Sequence, residues 1–332
     1  MKKAISLLTM LSMLGSVLVL SSCALFGVRV DKYHFPDRVL RNAVSAYIDK
    51  DDNGFLSKAE MEDAKILVVW GPCSDLSGLE YLTGLEQLDL RECTDLSGIE
   101  QLINLKTLVL SECPGLSDLS GVEFPASLEE IVIEASVFSE TFVFDNEVPI
   151  TNFYFKDCVF ENGILFKNDS VEYIEFGYCN YRESEASGDL VFADCDSLYW
   201  FRGEFDSEQE RSCNIDLSGC DNLDWLLISS EREQIITSVD LSDCITLSSF
   251  SISDDDYNID AIAELSLDIS GCPNIEDADI WSIRIQELDI SDCPYLISAA
   301  EQTPCEDEFG GLIYESEVGK ITTREEPIVF IK

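Results

Sequence analysis

Apolar residues recur along the chain in a fixed order. Leu85, Leu88, Leu90, Cys93 and Leu96 reappear 20 positions later as Leu105, Leu108, Leu110, Cys113 and Leu116. An earlier segment, VVWGPCSDLSGLEYLTG, keeps the same period. In L-x-x-L-x-L the last two leucines flank one outward position, the period-2 signature of a half-buried strand. The pattern then loosens. Ser136 takes the cysteine place in LEEIVIEAS, and ITNFYFKDC and VEYIEFGYC end at Cys158 and Cys179 with isoleucine and phenylalanine in place of leucine. The coils are expected to widen or distort there. Beyond about Gly188 the units lengthen. LVFADC, IDLSGC, VDLSDC, LDISGC and LDISDC end at Cys195, Cys220, Cys244, Cys272 and Cys293, with second strand-like stretches such as NLDWLLISSE and TLSSFSISDD between them.

A unit this short cannot bury its apolar stripe alone, so neighbours stack and share a core. Residues 66–295 therefore predict an α/β repeat solenoid with a parallel β-sheet along one face and a strand-rich second half. Residues 35–65 read as helix, acidic loop, helix. FPDRVLRNAVSAYI sets Val39, Leu40, Ala43, Val44 and Tyr47 at helical spacing, with Pro36 suited to a first turn. In SKAEMEDAKIL, Ser57 and Glu60 have capping-box spacing. This small helical N-terminal cap is expected to cover the first coil, which would otherwise expose core and an unpaired edge. Residues 296–332 carry two strand-like runs in GGLIYESEVGKITTREEPIVFIK and are expected to cap the other end.

The five-position match in successive units resembles the leucine-rich repeat, whose core asparagine position often holds cysteine instead. The longer units resemble the leucine-rich repeats with two short strands per coil found in surface proteins of gut and oral bacteria. The resemblance spans roughly residues 66–295.

The N-terminal segment stands apart from the fold. MKK is a basic start, AISLLTMLSMLGSVLVL an uncharged apolar run, and LSSC ends it at Cys23. This resembles the lipobox of bacterial lipoprotein signal peptides. The resemblance implies that residues 1–22 are removed, that Cys23 carries a diacylglyceryl group, and that residues 23–34 form a tether. Two acyl chains give stable membrane anchoring where one would be marginal. The alternative is an uncleaved membrane anchor, because no charge appears between Lys3 and Arg29. Both readings place the body outside the cytoplasm, on the cell membrane or the outer membrane.

Composition narrows the partners. The formal net charge is −44 over 332 residues. Such a field repels nucleic acid and anionic lipid and favours cations or basic partners. Thirteen cysteines in an exported chain would ordinarily suggest disulfides. Here ten of them (73, 93, 113, 158, 179, 195, 220, 244, 272 and 293) fall at the repeat position, where a small apolar side chain with a weak donor fills the turn. Cys213 and Cys305 are left without an assignment and could pair.

One acidic stretch is ordered by position. DKDDNGFLSKAE matches D-x-[DN]-x-[DN]-G-x5-E without a gap. This resembles the EF-hand calcium loop, which implies ligands from Asp49, Asp51 and Asn53, the Phe55 carbonyl, Ser57 directly or through water, and a bidentate Glu60. Gly54 stands where the loop must turn sharply, and Leu56 is apolar as a loop strand requires. Ca2+ is the expected cofactor, fastening the cap. SDDDYNIDAIAE, residues 253–264, has Tyr257 and Asn258 where the turn glycine is needed and does not qualify.

Catalysis finds little support. The single histidine is His34, so the body has no histidine triad or histidine metal cluster. Among 65 Asp and Glu, paired carboxylates arise by chance, and a carboxylate-based hydrolase is a remote alternative. No glycine-rich phosphate loop is present. Binding finds more. Outward strand positions carry Gln87, Asp89, Arg91, Thr107, Val109 and Ser111, then Glu130, Val132 and Glu134, then Asn152, Tyr154 and Lys156, then Tyr173 and Glu175. Tyr178, Tyr199 and Trp200 are candidates to continue the row. Exposed tyrosine and tryptophan are typical contact residues. The expected function is recognition of a protein ligand at the cell surface, with glycan binding through these aromatics as the alternative.

Overall fold

Alternation of apolar and polar residues becomes strand wherever the repeat places it. The structure, a computed structural model, describes residues 27–113, 115–181, 189–254, 265–281, 283, 285, 287–306, 311–323 and 328–332. Residues 1–22 and Cys23 lie outside them. Two compact units divide the chain, Met1–Val109 with Glu123–Leu128, and Leu110–Val122 with Glu129–Lys332. Both are built from the same leucine-rich-repeat coil.

In the first unit, β1 (Val28–Arg29) pairs antiparallel with β2 (Phe55–Leu56). Between them, α1 (Arg38–Tyr47) buries Leu40, Ala43 and Val44 and packs on β3 (Ile66–Val69). Its cap is Asp37, whose Oδ1 accepts from the Val39 and Leu40 amides at 2.6 and 3.0 Å. Pro36 therefore precedes the cap instead of opening the helix. Tyr47 is exposed, because the buried stripe ends one turn earlier. Helix α2 (Lys58–Asp63) starts on a complete Ser57–Glu60 capping box. β3 runs parallel to β4 (Gln87–Arg91), with Leu67 beside Leu88 and Val69 beside Leu90. β5 (Thr107–Ser111) repeats the burial pattern of β4. Gly78 holds φ at 105°, and a Cβ there would lie 2.3 Å from the His34 carbonyl oxygen. The cap thus packs where only glycine fits.

The second unit begins with two wide coils. β6 (Glu130–Glu134), β7 (Val137–Phe138) and β8 (Phe142–Asp145) form one. β9 (Asn152–Lys156), β10 (Val159–Phe160) and β11 (Ile164–Lys167) form the next. Pairing is parallel and in register: Glu130 with Asn152, Val137 with Val159, Phe142 with Ile164. Phenylalanine fills the widened core. Phe142, Phe144, Phe153, Phe155, Phe160, Phe166 and Phe176 are all buried. The stack continues through β12 (Tyr173–Tyr181), β13 (Asp189–Ala193), β14 (Trp200–Asp216), β15 (Trp225–Asp240), β16 (Ser249–Asp254), β17 (Ser266–Asp268), β18 (Asp277–Trp281) and β19 (Glu287–Asp289). From β14 on, each coil supplies one face with its opening residues and a second with its closing ones. Helix α3 (Pro294–Ala300) follows, then β20 (Cys305–Glu306), β21 (Leu312–Glu315), β22 (Lys320–Thr323) and β23 (Val329–Ile331). The β21–β22 hairpin is antiparallel, and β22 continues the parallel sheet beside β18.

The repeat cysteine marks the corner of each coil. The residue before it is left-handed: Glu92, Glu112, Ala135, Asp157, Tyr178, Asp194 and Asp243 have φ between 49° and 61°, and Gly219 and Gly271 occupy the same place. A non-glycine residue spends about 1–2 kcal/mol in this region. The offset is a backbone bond to the next coil. The amides of Glu112, Ala135, Asp157 and Asp243 donate to the carbonyls of Glu134, Lys156, Gly177 and Ser270 at 2.8–3.0 Å. The cysteine then points inward, and from Cys158 on its thiol reaches a carbonyl of the coil before it, as from Cys244 to Leu217 at 3.2 Å and Cys272 to Leu241 at 2.9 Å. Ser136 fills the same place with oxygen: its hydroxyl donates to the Glu134 carbonyl at 3.0 Å and accepts from the Cys113 amide at 3.0 Å.

The thiols from Cys73 onward are free. Cys213 is buried and Cys305 exposed, and the two are not joined. Burial pushes Cys195, Cys213, Cys244 and Cys272 up to about 12. A buried, protonated thiol is inert. In native protein at pH 8, a thiol-reactive aromatic disulfide is therefore expected to label Cys305 within minutes and the other eleven thiols from Cys73 onward only in denaturant. Rapid labelling of a repeat cysteine would contradict the inward ladder.

Candidate functional site

Two places gather functional side chains, one in each unit. In the cap, the loop between α1 and α2 folds around its own carboxylates. Asp49 accepts from the Asn53 and Gly54 amides at 3.1 and 2.8 Å. Asn53 Oδ1 accepts from the Phe55 amide at 2.8 Å. Glu60 Oε1 accepts from the Lys50 amide at 2.8 Å, and Oε2 accepts from the Ser57 amide and hydroxyl at 2.8 and 2.7 Å. Carboxylate oxygens of Asp49, Asp51 and Glu60 lie within 4.8 Å of one another. Asp49 and Glu60 are buried, Asp51 exposed. Burial works to raise the Glu60 carboxyl, but hydrogen bonds from Ser57, Lys50 and Asp51 outweigh it and hold the group below its ordinary value. Three carboxylates crowded this closely are unfavourable without a compensating positive charge. A hard oxygen donor set of this kind suits a divalent cation. Ser57 is committed to the helix cap through its hydroxyl.

The strand paired with this loop was not read from sequence. Val28 and Arg29 sit beside Leu56 and Phe55, Val28 and Leu56 are buried, and the Val30 amide donates to the Gly54 carbonyl at 3.0 Å. The sequence signal was the low polarity of residues 24–34. His34 completes the packing: its Nδ1 lies 2.9 Å from Asp31 Oδ1 and its ring meets Tyr81 edge-on.

The second place is the outward row of the parallel sheet in the second unit. Register aligns Asn152, Tyr173, Trp200, Trp225, Ser249 and Asp277. Tyr154 packs against Tyr173 at 5.4 Å between ring centroids, Tyr173 against Trp200 at 4.2 Å, and Trp200 against Trp225 at 4.9 Å with planes 16° apart. Lys156 Nζ caps the Tyr154 end, 5.5 Å from the ring centroid. Beside the stack, the Tyr173 hydroxyl donates to Glu175 at 2.6 Å. Burial and this bond together push the Tyr173 phenol well up, so it stays protonated. Arg202 pairs with Glu204, while its Nε is buried without a hydrogen-bond partner.

Tyr178 and Tyr199 lie off this row. Tyr178 is the left-handed corner before Cys179, where the β12–β14 register also shifts. Tyr199 immediately precedes β14 and lines an open groove of about 450 Å³ with Glu172, Ser197, Asn222, Asp224 and Thr246. A hydrogen bond to Asp224 pushes its phenol up. Trp225 belongs to the row and was missed. Its signal was available: Cys195-Asp-Ser-Leu198-Tyr199-Trp200 and Cys220-Asp-Asn-Leu223-Asp224-Trp225 share one spacing.

No protein-family model matches the chain, and no curated protein does. Among solved structures, internalin C2 from Listeria monocytogenes is similar at 17% identity, covering 63% of this chain and 89% of that one, with a TM-score of 0.35. The internalin inlF of the same organism is similar at 15% identity, covering 82% of this chain and 96% of that one, with a TM-score of 0.28.

Proposed function

We propose that the protein is an exported, non-catalytic recognition protein that binds a protein partner through the aromatic row of its second unit. The observation that carries this reading is the stack Tyr154–Tyr173–Trp200–Trp225, half-exposed on a sheet face and flanked by Arg202. Rigid aromatic and arginine side chains are the residues that dominate protein interfaces. The stacking also weighs against the glycan alternative. A sugar packs on a ring face, and Tyr173 and Trp200 each have ring neighbours on two sides, which leaves the outer face of Trp225 as the open one in the middle of the row. The hydrolase alternative has no support on this face, since Glu175 and Glu204 are each engaged by a neighbour. In the same reading calcium fastens the cap, held by Asp49, Asp51, Asn53, Phe55 and Glu60, with Ser57 acting through water. A lipid on Cys23 holds the chain to a membrane, supported by the LSSC pattern; mass spectrometry of the mature N-terminus tests that part.

The test is a screen of the whole chain against protein and glycan arrays, repeated with Trp200→Ser. Truncating a central aromatic anchor typically costs 2 kcal/mol or more, about 30-fold in affinity. A protein hit that weakens to that degree supports the reading. A hit unchanged by Trp200→Ser, or hits on glycans alone, overturns it.

A further inference from the structure

The aromatic stack has two ends, and they differ. At the Tyr154 end a cation already lies over the ring, supplied by Lys156. At the Trp225 end nothing large follows. Trp225 is parallel to Trp200, so its other face turns toward the next strand, β16. That strand offers serine at both facing positions, Ser249 beside Trp225 and Ser251 beside Leu227. The strand beyond brings Asp277 beside Ser249 and Asp279 beside Ser251. Strands stand about 4.8 Å apart. An indole face and a carboxylate row therefore face each other about 9.6 Å apart, across a floor of small hydroxyl side chains.

We propose that this notch takes a lysine or arginine side chain from a basic segment of a protein partner. The inference rests on the recognition role proposed above and names the chemistry at one end of that face. A cation seated over Ser249 would meet the ring face on one side and carboxylate on the other, the arrangement that rewards both cation–π contact and ion pairing. Asp277 Oδ1 lacks a hydrogen-bond partner, and Lys320 of β22 stands beside Asp277 on the strand beyond. The net charge of −44 draws basic segments to the surface in general. The notch gives one such side chain a fitted seat. The repeat itself writes the notch: the position that holds tryptophan after Cys195 and Cys220 holds Ser249 after Cys244 and Asp277 after Cys272.

The experiment titrates the full chain with acetyl-hexalysine amide and acetyl-hexaarginine amide in 150 mM salt (roughly physiological strength, where distant surface charges are screened), followed by calorimetry. Three variants are compared with the wild type. Ser249→Phe fills the notch without changing charge. Asp277→Asn removes one wall. Asp221→Asn removes the same charge from the exposed turn after Cys220, off the strand face. Affinity should fall about tenfold for the first two, the scale of a desolvated cation–π contact, and stay unchanged for Asp221→Asn. Equal affinity in all four proteins, or equal losses for both aspartate variants, shows diffuse charge attraction and overturns the notch. Either result leaves the broader recognition reading standing, because that reading fails on a different observation, undiminished protein capture by Trp200→Ser.

Discussion

Phe155→Ala is expected to cost the second unit about 3–5 kcal/mol of stability, the range for deleting a fully enclosed ring. Phe155 is wholly buried and in ring contact with four others. It stacks on Phe176 at 4.8 Å, lies 4.9 Å from Phe153, and meets Phe142 and Phe160 edge-on at 5.2 and 5.3 Å. The site cannot collapse around the vacancy, since each neighbour is itself wedged in register with the next coil. Urea unfolding followed by circular dichroism reads the loss as a shift of midpoint, with the slope checked because stacked repeats can unfold in stages. Phe155→Leu restores the residue of an ordinary coil and should cost far less, about 1.5 kcal/mol or under. If alanine is no worse than leucine, the widened core does not depend on its aromatic filling.

That core shows where sequence and structure part company. The period and the inward positions are legible because burial alternates strictly: Leu88 and Leu90 go in, Gln87, Asp89 and Arg91 face out. Substituting Phe153 and Phe155 for leucine announces a wider coil without saying that three strands line it. The corner is less legible. Nothing local in Glu92, Ala135 or Tyr178 favours a left-handed residue; at Ala135 the conformation goes with the amide's hydrogen bond to Lys156 in the coil that follows. A row counted forward by strand alternation therefore runs straight through Tyr178, and the structure bends it away. Trp225 is legible only when the count starts from the preceding cysteine, where Cys220–Trp225 repeats the Cys195–Trp200 spacing. In the cap, the acidic loop is legible because ligand spacing is a property of the loop alone. Its strand partner Val28–Arg29 is a tertiary choice with no sequence spacing to reveal it.

Calcium is expected to stabilise the cap, and Asp51 is the residue that separates metal binding from folding. With a dissociation constant in the 10⁻⁴–10⁻³ M range of extracellular modules, 10 mM calcium would add about 1.4–2.7 kcal/mol, the linkage for a ligand that binds only the folded state. Protection of the Leu40–Ile48 amides from hydrogen exchange should rise by the same amount, because α1 leads directly into the loop. Glu60→Gln should abolish the increment, but it also disturbs the fold. Gln has one acceptor oxygen where Glu60 uses two, one for Lys50 and one for Ser57, so the metal-free cap should weaken as well. Asp51 is exposed, and its carboxylate meets those of Asp49 and Glu60 only at the cluster. Asp51→Ala removes the side-chain oxygen altogether, and should therefore leave the metal-free protein as stable as the wild type, or slightly more so through relief of like-charge repulsion, and still lose most of the calcium increment. Magnesium provides a second control, since it demands a smaller octahedral shell and sheds water reluctantly; it should stabilise the cap less than calcium at equal concentration. If Asp51→Ala gains as much from calcium as the wild type, the three carboxylates are a folded acidic turn and the fastening lies in the Ser57–Glu60 cap and the Val28–Leu56 strand pair alone.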